Sequence, residues 1–235
     1  MADENFAHPR LAAIYDVLES DRSDLDPYIR LAEELGARQV LDIGCGTGVF
    51  ALLLADRGIE VVGVDPATAS VDVRWIYGDA GALPPLQVDL VTMTANVAQA
   101  IVDPQVWRMT LRAAYEALRP GGILVFETRD PARRAWEEWK REASYRVTQI
   151  PGAGGVVSWV QLLEVRGPLV TFRGTVEFTA DGQVLTADST LRFRERREVE
   201  AELVAQGFVV DDVRDAPDRP GREFVFLARR PLAHC

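Results

Sequence analysis

Three acidic residues close three successive apolar stretches of this chain: Asp42 in QVLDI, Asp65 at the end of EVVGVD and Asp79 in YGDA. Directly after the first stands a glycine-rich turn, GCGTG, running from Gly44 through Cys45 and Gly46 to Gly48. A glycine-rich turn behind an apolar strand brings backbone N–H groups close to a nucleotide. An acid at the end of the next strand can accept both hydroxyls of a ribose. A dinucleotide site needs G-x-G-x-x-G, whose third glycine lets helix pack on strand. Here the glycines read G-x-G-x-G and Val49 holds the third position, so the spacing is wrong for NAD. Asp42 at its strand end can order the turn or meet a cationic ligand group, directly or through water.

The elements that must position these residues follow from periodicity. Two helical patterns come first, HPRLAAIYDVLE and DPYIRLAEELG, the second with Asp26 as N-cap, Pro27 in its first turn and Gly36 as its stop. Strands and helices then alternate: QVLDI, GVFALLLADRG, EVVGVD, VRWIYGD, VDLVTM, a helix entered by Asp103 and Pro104, and GILVFE. That rhythm predicts a parallel, doubly wound α/β sheet with the three acids in a crescent at its carboxyl edge. After Glu127 a helix is predicted over DPARRAWEEWKRE, then three strands from Gly155 to Phe193 forming an antiparallel meander. Val170, Phe172, Val176 and Phe178 alternate with Thr171, Arg173, Thr175 and Glu177, so this sheet has one apolar and one polar face. A helix in EVEAELVAQG and two closing strands return to the main sheet. The expectation is one domain over 1–235: a helical cover over 1–38, a cofactor-binding core over 39–150, an antiparallel β insertion over 151–194 and a return to the core over 195–235.

One junction is short. Only Pro66 to Val73 connect the second and third strands, whereas a parallel crossover takes about a dozen residues and usually carries a helix. A segment of roughly ten residues is therefore expected to be absent near Asp72 to Arg74, a natural deletion being the alternative.

Composition narrows the function. A net charge of −10 and a pI near 4.8 oppose a phosphate backbone, so no nucleic-acid partner is expected. No apolar run approaches the roughly 20 residues of a membrane span, and MADENFAHPR has acids where a signal peptide needs bases. A cytoplasmic protein without a membrane partner is the expectation. Two cysteines, Cys45 and Cys235, and two histidines offer no metal spacing, so no metal site is expected.

Taken together, the acid with G-x-G-x-G from Asp42 to Gly48, the ordered acids and the LRPGGILVFE entry to the fifth strand resemble the class I S-adenosylmethionine-dependent methyltransferases, over nearly the whole chain. The resemblance implies a Rossmann-like seven-stranded sheet with an antiparallel insertion after the fifth strand, and S-adenosylmethionine as cofactor, with S-adenosylhomocysteine as product. It implies that the Asp42 to Gly48 turn holds the methionine part, that Asp65 binds the ribose, that Pro66 flanks adenine and that Asp79 with the Ala80 amide reads the adenine edge. Asn96 falls where the family passes the reactive methyl, and Tyr15 and Tyr28 resemble N-terminal tyrosines that close over the cofactor. Asp65 and Asp79 can equally be strand-end caps, and both tyrosines core aromatics.

The acceptor half is less legible. Glu127, ending the fifth strand on the same edge, is the best-placed base, ahead of Asp130, Tyr15 and Tyr28; a partner for Arg129 or for a helix N-terminus is its other reading. Tyr28, Gln99, Arg129 and Trp136 are candidates to face the substrate, with Arg133 and Arg134 beside them. Trp136 and Trp139 can instead anchor their helix. The insertion implies a lid over a small molecule or a homodimer contact. The leading reading is a methyltransferase acting on an O or N atom of a small molecule. A non-catalytic S-adenosylmethionine or S-adenosylhomocysteine binder is the alternative, and a nicotinamide oxidoreductase is disfavoured by Val49.

Overall fold

A computed structural model of the chain describes residues 8–18, 21–66, 73–152 and 154–232. In chain order its elements are α1 (Pro9–Ala12), α2 (Tyr15–Leu18), α3 (Asp26–Glu34), β1 (Gln39–Ile43), α4 (Val49–Ala55), β2 (Glu60–Asp65), β3 (Arg74–Tyr77), β4 (Val88–Met93), α5 (Val97–Ala100), α6 (Pro104–Ala117), β5 (Leu118–Arg129), α7 (Arg141–Ser144), β6 (Arg146–Ile150), β7 (Gly154–Arg166), β8 (Leu169–Phe178), β9 (Val184–Arg192), α8 (Arg196–Ala205), β10 (Val209–Asp215) and β11 (Glu223–Arg229). They sort into two compact units, Arg22–Asp130 with Arg194–Cys235 and Met1–Asp21 with Pro131–Phe193. Among the described residues no helix is long and apolar enough to cross a membrane.

The first unit is the doubly wound sheet, seven strands in the order β10-β11-β5-β4-β1-β2-β3. β1 pairs in parallel with β2 and β4, β4 with β5, and β2 with β3, while β11 runs antiparallel to β5 and β10. Consecutive residues of a strand point to opposite faces. Phe126 therefore joins Trp107 and Leu111 of α6 and Leu203 of α8, while Val125 joins Ile29 of α3 and Phe50 and Leu54 of α4. Asp103 caps α6 as its position before Pro104 predicts, accepting from the Gln105 and Val106 amides. The cap of α3 is Leu25 rather than Asp26, which sits one residue later in the first turn, where a carboxylate complements the helix dipole.

Residues 67–72 of the short β2–β3 junction lie outside the described residues, and with them Asp72, where the suspected missing segment begins. Beside them, the Trp75 ring lies over Gly63: a Cβ there would stand 3.1 Å from Trp75 Cε3 and 2.7 Å from Cys45 Sγ. A side chain at Gly63 would have to displace the Cys45 thiol and press on the indole.

The second unit is a four-stranded antiparallel sheet, β6-β7-β8-β9, separate from the parallel one as the pattern predicts. Its first strand was not legible: of β6 only Ile150 is buried, so no alternation marks it. The helix predicted over DPARRAWEEWKRE does not form. Two short 3-10 turns, Pro131–Arg133 and Ala135–Glu138, flank Arg134 at φ 47°, and α7 follows. The two tryptophans decide this local path by packing edge-on against the sheet, Trp136 on Phe193 at 4.6 Å and Trp139 on Phe172 at 4.9 Å between ring centroids. The helix predicted over HPRLAAIYDVLE is likewise broken into α1 and α2. Leu11 and Ile14 pack there on Ile150, Val156 and Phe178. The two N-terminal helical patterns thus part company, the first belonging to the antiparallel unit and the second to the parallel one.

Candidate active site

The glycine turn leaves β1 with Gly44, Gly46 and Gly48 all at left-handed φ, +74°, +54° and +86°. At Gly44 a Cβ would lie 2.6 Å from both methyls of Val97, the first residue of α5, so the helix presses directly on the turn. At Gly46 nothing stands within 4 Å of where a Cβ would be, which leaves open space over the middle of the turn. The Gly46 amide donates to Asp65 Oδ2 at 2.9 Å, so the acid at the end of β2 holds the turn. Asp42 is 1 % exposed; Oδ1 accepts from the Thr92 hydroxyl at 2.8 Å, while Oδ2 is buried without a partner. Burial pushes this carboxyl up to about 7, the Thr92 hydroxyl opposing and the Asp65 charge adding. Asp79 caps the short turn Ala80–Ala82 by accepting from the Gly81 amide, with Ala80 buried behind it. Pro66 directly follows β2 and is half-buried. Burial and then the charges of Asp42 and Asp65 push the Cys45 thiol far up, away from the thiolate form that a nucleophile uses.

Beyond β4 the chain turns sharply, with Ala95 at φ 55° and Asn96 at φ 61°. Two consecutive non-glycine residues in the left-handed region cost on the order of 1 kcal/mol or more each and persist only where their surroundings enforce them. Glu127 on β5 is one enforcer, accepting the Asn96 amide at Oε1. Arg194 is the other. It is 1 % exposed, donates to the Ala98 carbonyl at 2.8 Å and the Ile101 carbonyl at 2.6 Å, and lies 4.5 Å from the Trp107 ring centroid.

Around Glu127 a polar cluster is buried. Glu223 at the start of β11 pairs with Arg219 at 2.7 Å and with Arg129 at 3.5 Å, and receives the Asn96 side-chain amide at 3.5 Å. Gln99 Oε1 accepts from Arg129 Nη1 at 3.1 Å. Burial pushes Glu127 up to about 7, with Glu223 adding, while the Tyr28 hydroxyl, the Asn96 amide and Arg129 favour the anion. Tyr28 is raised by burial first and Glu127 second, so its hydroxyl keeps its proton. Four polar atoms here are buried with no partner: Asn96 Oδ1, Gln99 Nε2, Glu127 Oε2 and Thr128 Oγ1. Each such atom costs about 1–3 kcal/mol if left dry and unmatched.

The parallel unit thus carries Asp42, Gly44, Cys45, Gly46, Gly48, Asp65, Pro66, Asp79, Ala80 and Asn96, together with Tyr28, Gln99, Glu127 and Arg129. Tyr15 and Trp136 belong to the antiparallel unit. Tyr15 lines a cleft there, and Trp136 is buried on Val170 and Phe193, in the manner of an anchor. Arg133 is exposed and Arg134 pairs with Glu137 at 2.9 Å. Sequence reasoning did not reach Thr92, Arg194, Arg219 or Glu223. A charged residue opening the apolar run FVFLA was the one available signal, and it pointed at Glu223.

The family profile described as "Methyltransferase domain" matches residues 18–162. A cypemycin N-terminal methyltransferase from a Streptomyces species is 31 % identical over 146 residues, 56 % of this chain and 60 % of its own. A ubiquinone biosynthesis O-methyltransferase from Pseudomonas entomophila is 33 % identical over 109 residues, 40 % of this chain and 45 % of its own. The chain therefore spans only about half the length of these curated relatives. Among solved structures, an S-adenosylmethionine-dependent methyltransferase from Clostridium acetobutylicum superposes with a TM-score of 0.72 at 16 % identity, over 94 % of this chain and 98 % of that one. An amino pentose methyltransferase from Micromonospora echinaspora superposes at 0.69 with 21 % identity, over 92 % and 96 %. A profile matched over more than half of the chain, on the strand order that the glycine turn and its acids require, shows that this protein belongs to the class I S-adenosylmethionine-dependent methyltransferases.

Proposed function

We propose that the protein transfers a methyl group from S-adenosylmethionine to the nitrogen of a small-molecule amine. The residues present fit the cofactor: the open space at Gly46 admits a ligand against the turn, and the unpartnered Asp42 Oδ2 suits a cationic group, directly or through water. In this reading Gly44 to Gly48 and Asp42 hold the methionine part, Asp65 the ribose hydroxyls, and Pro66, Asp79 and Ala80 the adenine. When bound, the cofactor supplies an electrophilic methyl group that a lone pair displaces from sulfur. The chain supplies alignment, exclusion of water and a destination for a proton.

One observation supports nitrogen. Glu127 Oε2 and Asn96 Oδ1 are buried acceptors with no partner, and a single ligand group that reached both would donate more than one hydrogen bond. An amine does so; an alcohol has a single proton to give. The curated relatives include both an N- and an O-methyltransferase and do not decide the point. Glu127 takes the amine's proton, and with its carboxyl near 7 it is competent only once pH rises through that value.

The test is incubation with methyl-labelled S-adenosylmethionine and a pool of small amines and alcohols. Label is expected on amine nitrogen, with the rate rising through about pH 7. In Glu127→Gln that rise should flatten and the rate should fall about a hundredfold or more. Label on alcohols alone would overturn the nitrogen assignment. No transfer to any acceptor, with S-adenosylhomocysteine still bound, would leave the non-catalytic reading.

A further inference from the structure

We propose that the antiparallel unit carries a small-molecule site of its own, a cleft that takes an organic acid with a compact apolar body. The inference stands apart from methyl transfer and rests on how this sheet's apolar face is covered. Cross-strand partners share a face. Arg146, Ser158, Val176 and Leu185 form one such row, and Val160, Gly174 and Ala187 the next. Toward one end the face is sealed by Leu11 and Ile14 on Ile150, Val156 and Phe178. Toward the other it is sealed by Trp136 and Trp139 on Val170 and Phe193. Between the two seals Gly174 contributes no side chain, and a cleft of about 280 Å³ remains.

Leu11, Leu18, Val160, Phe172 and Val176 line it with apolar surface. Apolar walls with a few polar groups are the make-up of small-ligand clefts, and this volume corresponds to on the order of ten water molecules, the room of a small acid's apolar body. Arg146 lines the same cleft and, among the described residues, its guanidinium has no ion-pair or hydrogen-bond partner. Other arginines of this unit are neutralised, Arg10 by Asp181, Arg134 by Glu137, Arg166 by Glu164 and Arg173 by Asp188. A guanidinium beside an apolar slot in a chain of net charge −10 selects a carboxylate, which it can bind with two parallel hydrogen bonds.

The experiment titrates the full chain with octanoate and phenylbutyrate, and with the matching amides, reading tryptophan fluorescence and calorimetry. Saturable binding of the acids is expected, with the amides about tenfold weaker or more. Gly174→Leu should abolish acid binding by filling the floor, and Arg146→Gln, at an exposed position where folding is not at stake, should weaken it about tenfold. S-adenosylhomocysteine affinity, measured in parallel, should stay unchanged in both variants; that arm reports on the cofactor site independently of the cleft. The proposal is overturned if no acid saturates by about 10 mM, if amides bind as well as acids, or if Arg146→Gln binds like the parent.

Discussion

The carboxyl edge of the parallel sheet and the polar face of the antiparallel sheet both carry many charges, and they treat them in opposite ways. At the edge, Asp42, Glu127, Arg194 and Glu223 are each less than 5 % exposed. On the antiparallel sheet, charges pair in the open: Arg173 and Asp188 face each other across β8 and β9 at 2.6 Å with side chains 45 % and 41 % exposed. Taking a charge out of water costs several kcal/mol unless its partners are complete, whereas an exposed pair is worth about 0–1 kcal/mol. At the edge the partners are incomplete, since Asp42 and Glu127 each keep one buried oxygen unmatched. Charge density is thus a poor guide to function in this chain, while incompletely satisfied buried charge, next to two strained residues, marks the place where the proposed ligand would complete the set.

Substitutions at three positions sharpen that contrast. Arg194→Ala should be the most damaging, because it uncaps two carbonyls at the end of α5 and empties the space over Trp107. A loss of about 3 kcal/mol or more is expected in urea denaturation. It should also weaken S-adenosylhomocysteine, since α5 carries the Val97 that presses on Gly44. A loss below about 1 kcal/mol would show that the buried cation is not what holds the turn. Asp65→Ala comes next, with S-adenosylhomocysteine affinity in calorimetry expected to drop about tenfold or more, ~1.4 kcal/mol. Because Asp65 also receives the Gly46 amide, Asp65→Asn should recover part of the loss; unchanged affinity in the alanine variant would remove Asp65 from the ribose. Arg173→Ala should do least. Its melting temperature should match the parent's, and a clear drop would erase the distinction between the two surfaces.

Local chemistry determined what depends on near neighbours in the chain. Alternating apolar runs, the Asp103–Pro104 cap and the glycine turn specify β1, β2, β4, β5, α6 and the crescent of Asp42, Asp65 and Asp79, because backbone geometry and short-range burial leave few other choices. The same reasoning failed where burial came from afar. The DPARRAWEEWKRE segment reads as helix, yet Trp136 and Trp139 gain more from Phe193 and Phe172 than from helical bonds to their neighbours. β6 shows no alternation because it is buried at one residue only. The candidate site divides along the same line. Its glycines and strand-end acids were legible, but which groups surround Glu127 was not: Asn96 meets Glu223 across 127 residues of sequence, and Arg194 reaches Ala98 across 96. No pattern in one stretch of chain encodes such pairs, and only the folded sheet, by excluding water from all of them at once, decides that these charges share one buried cluster and how far burial raises Glu127.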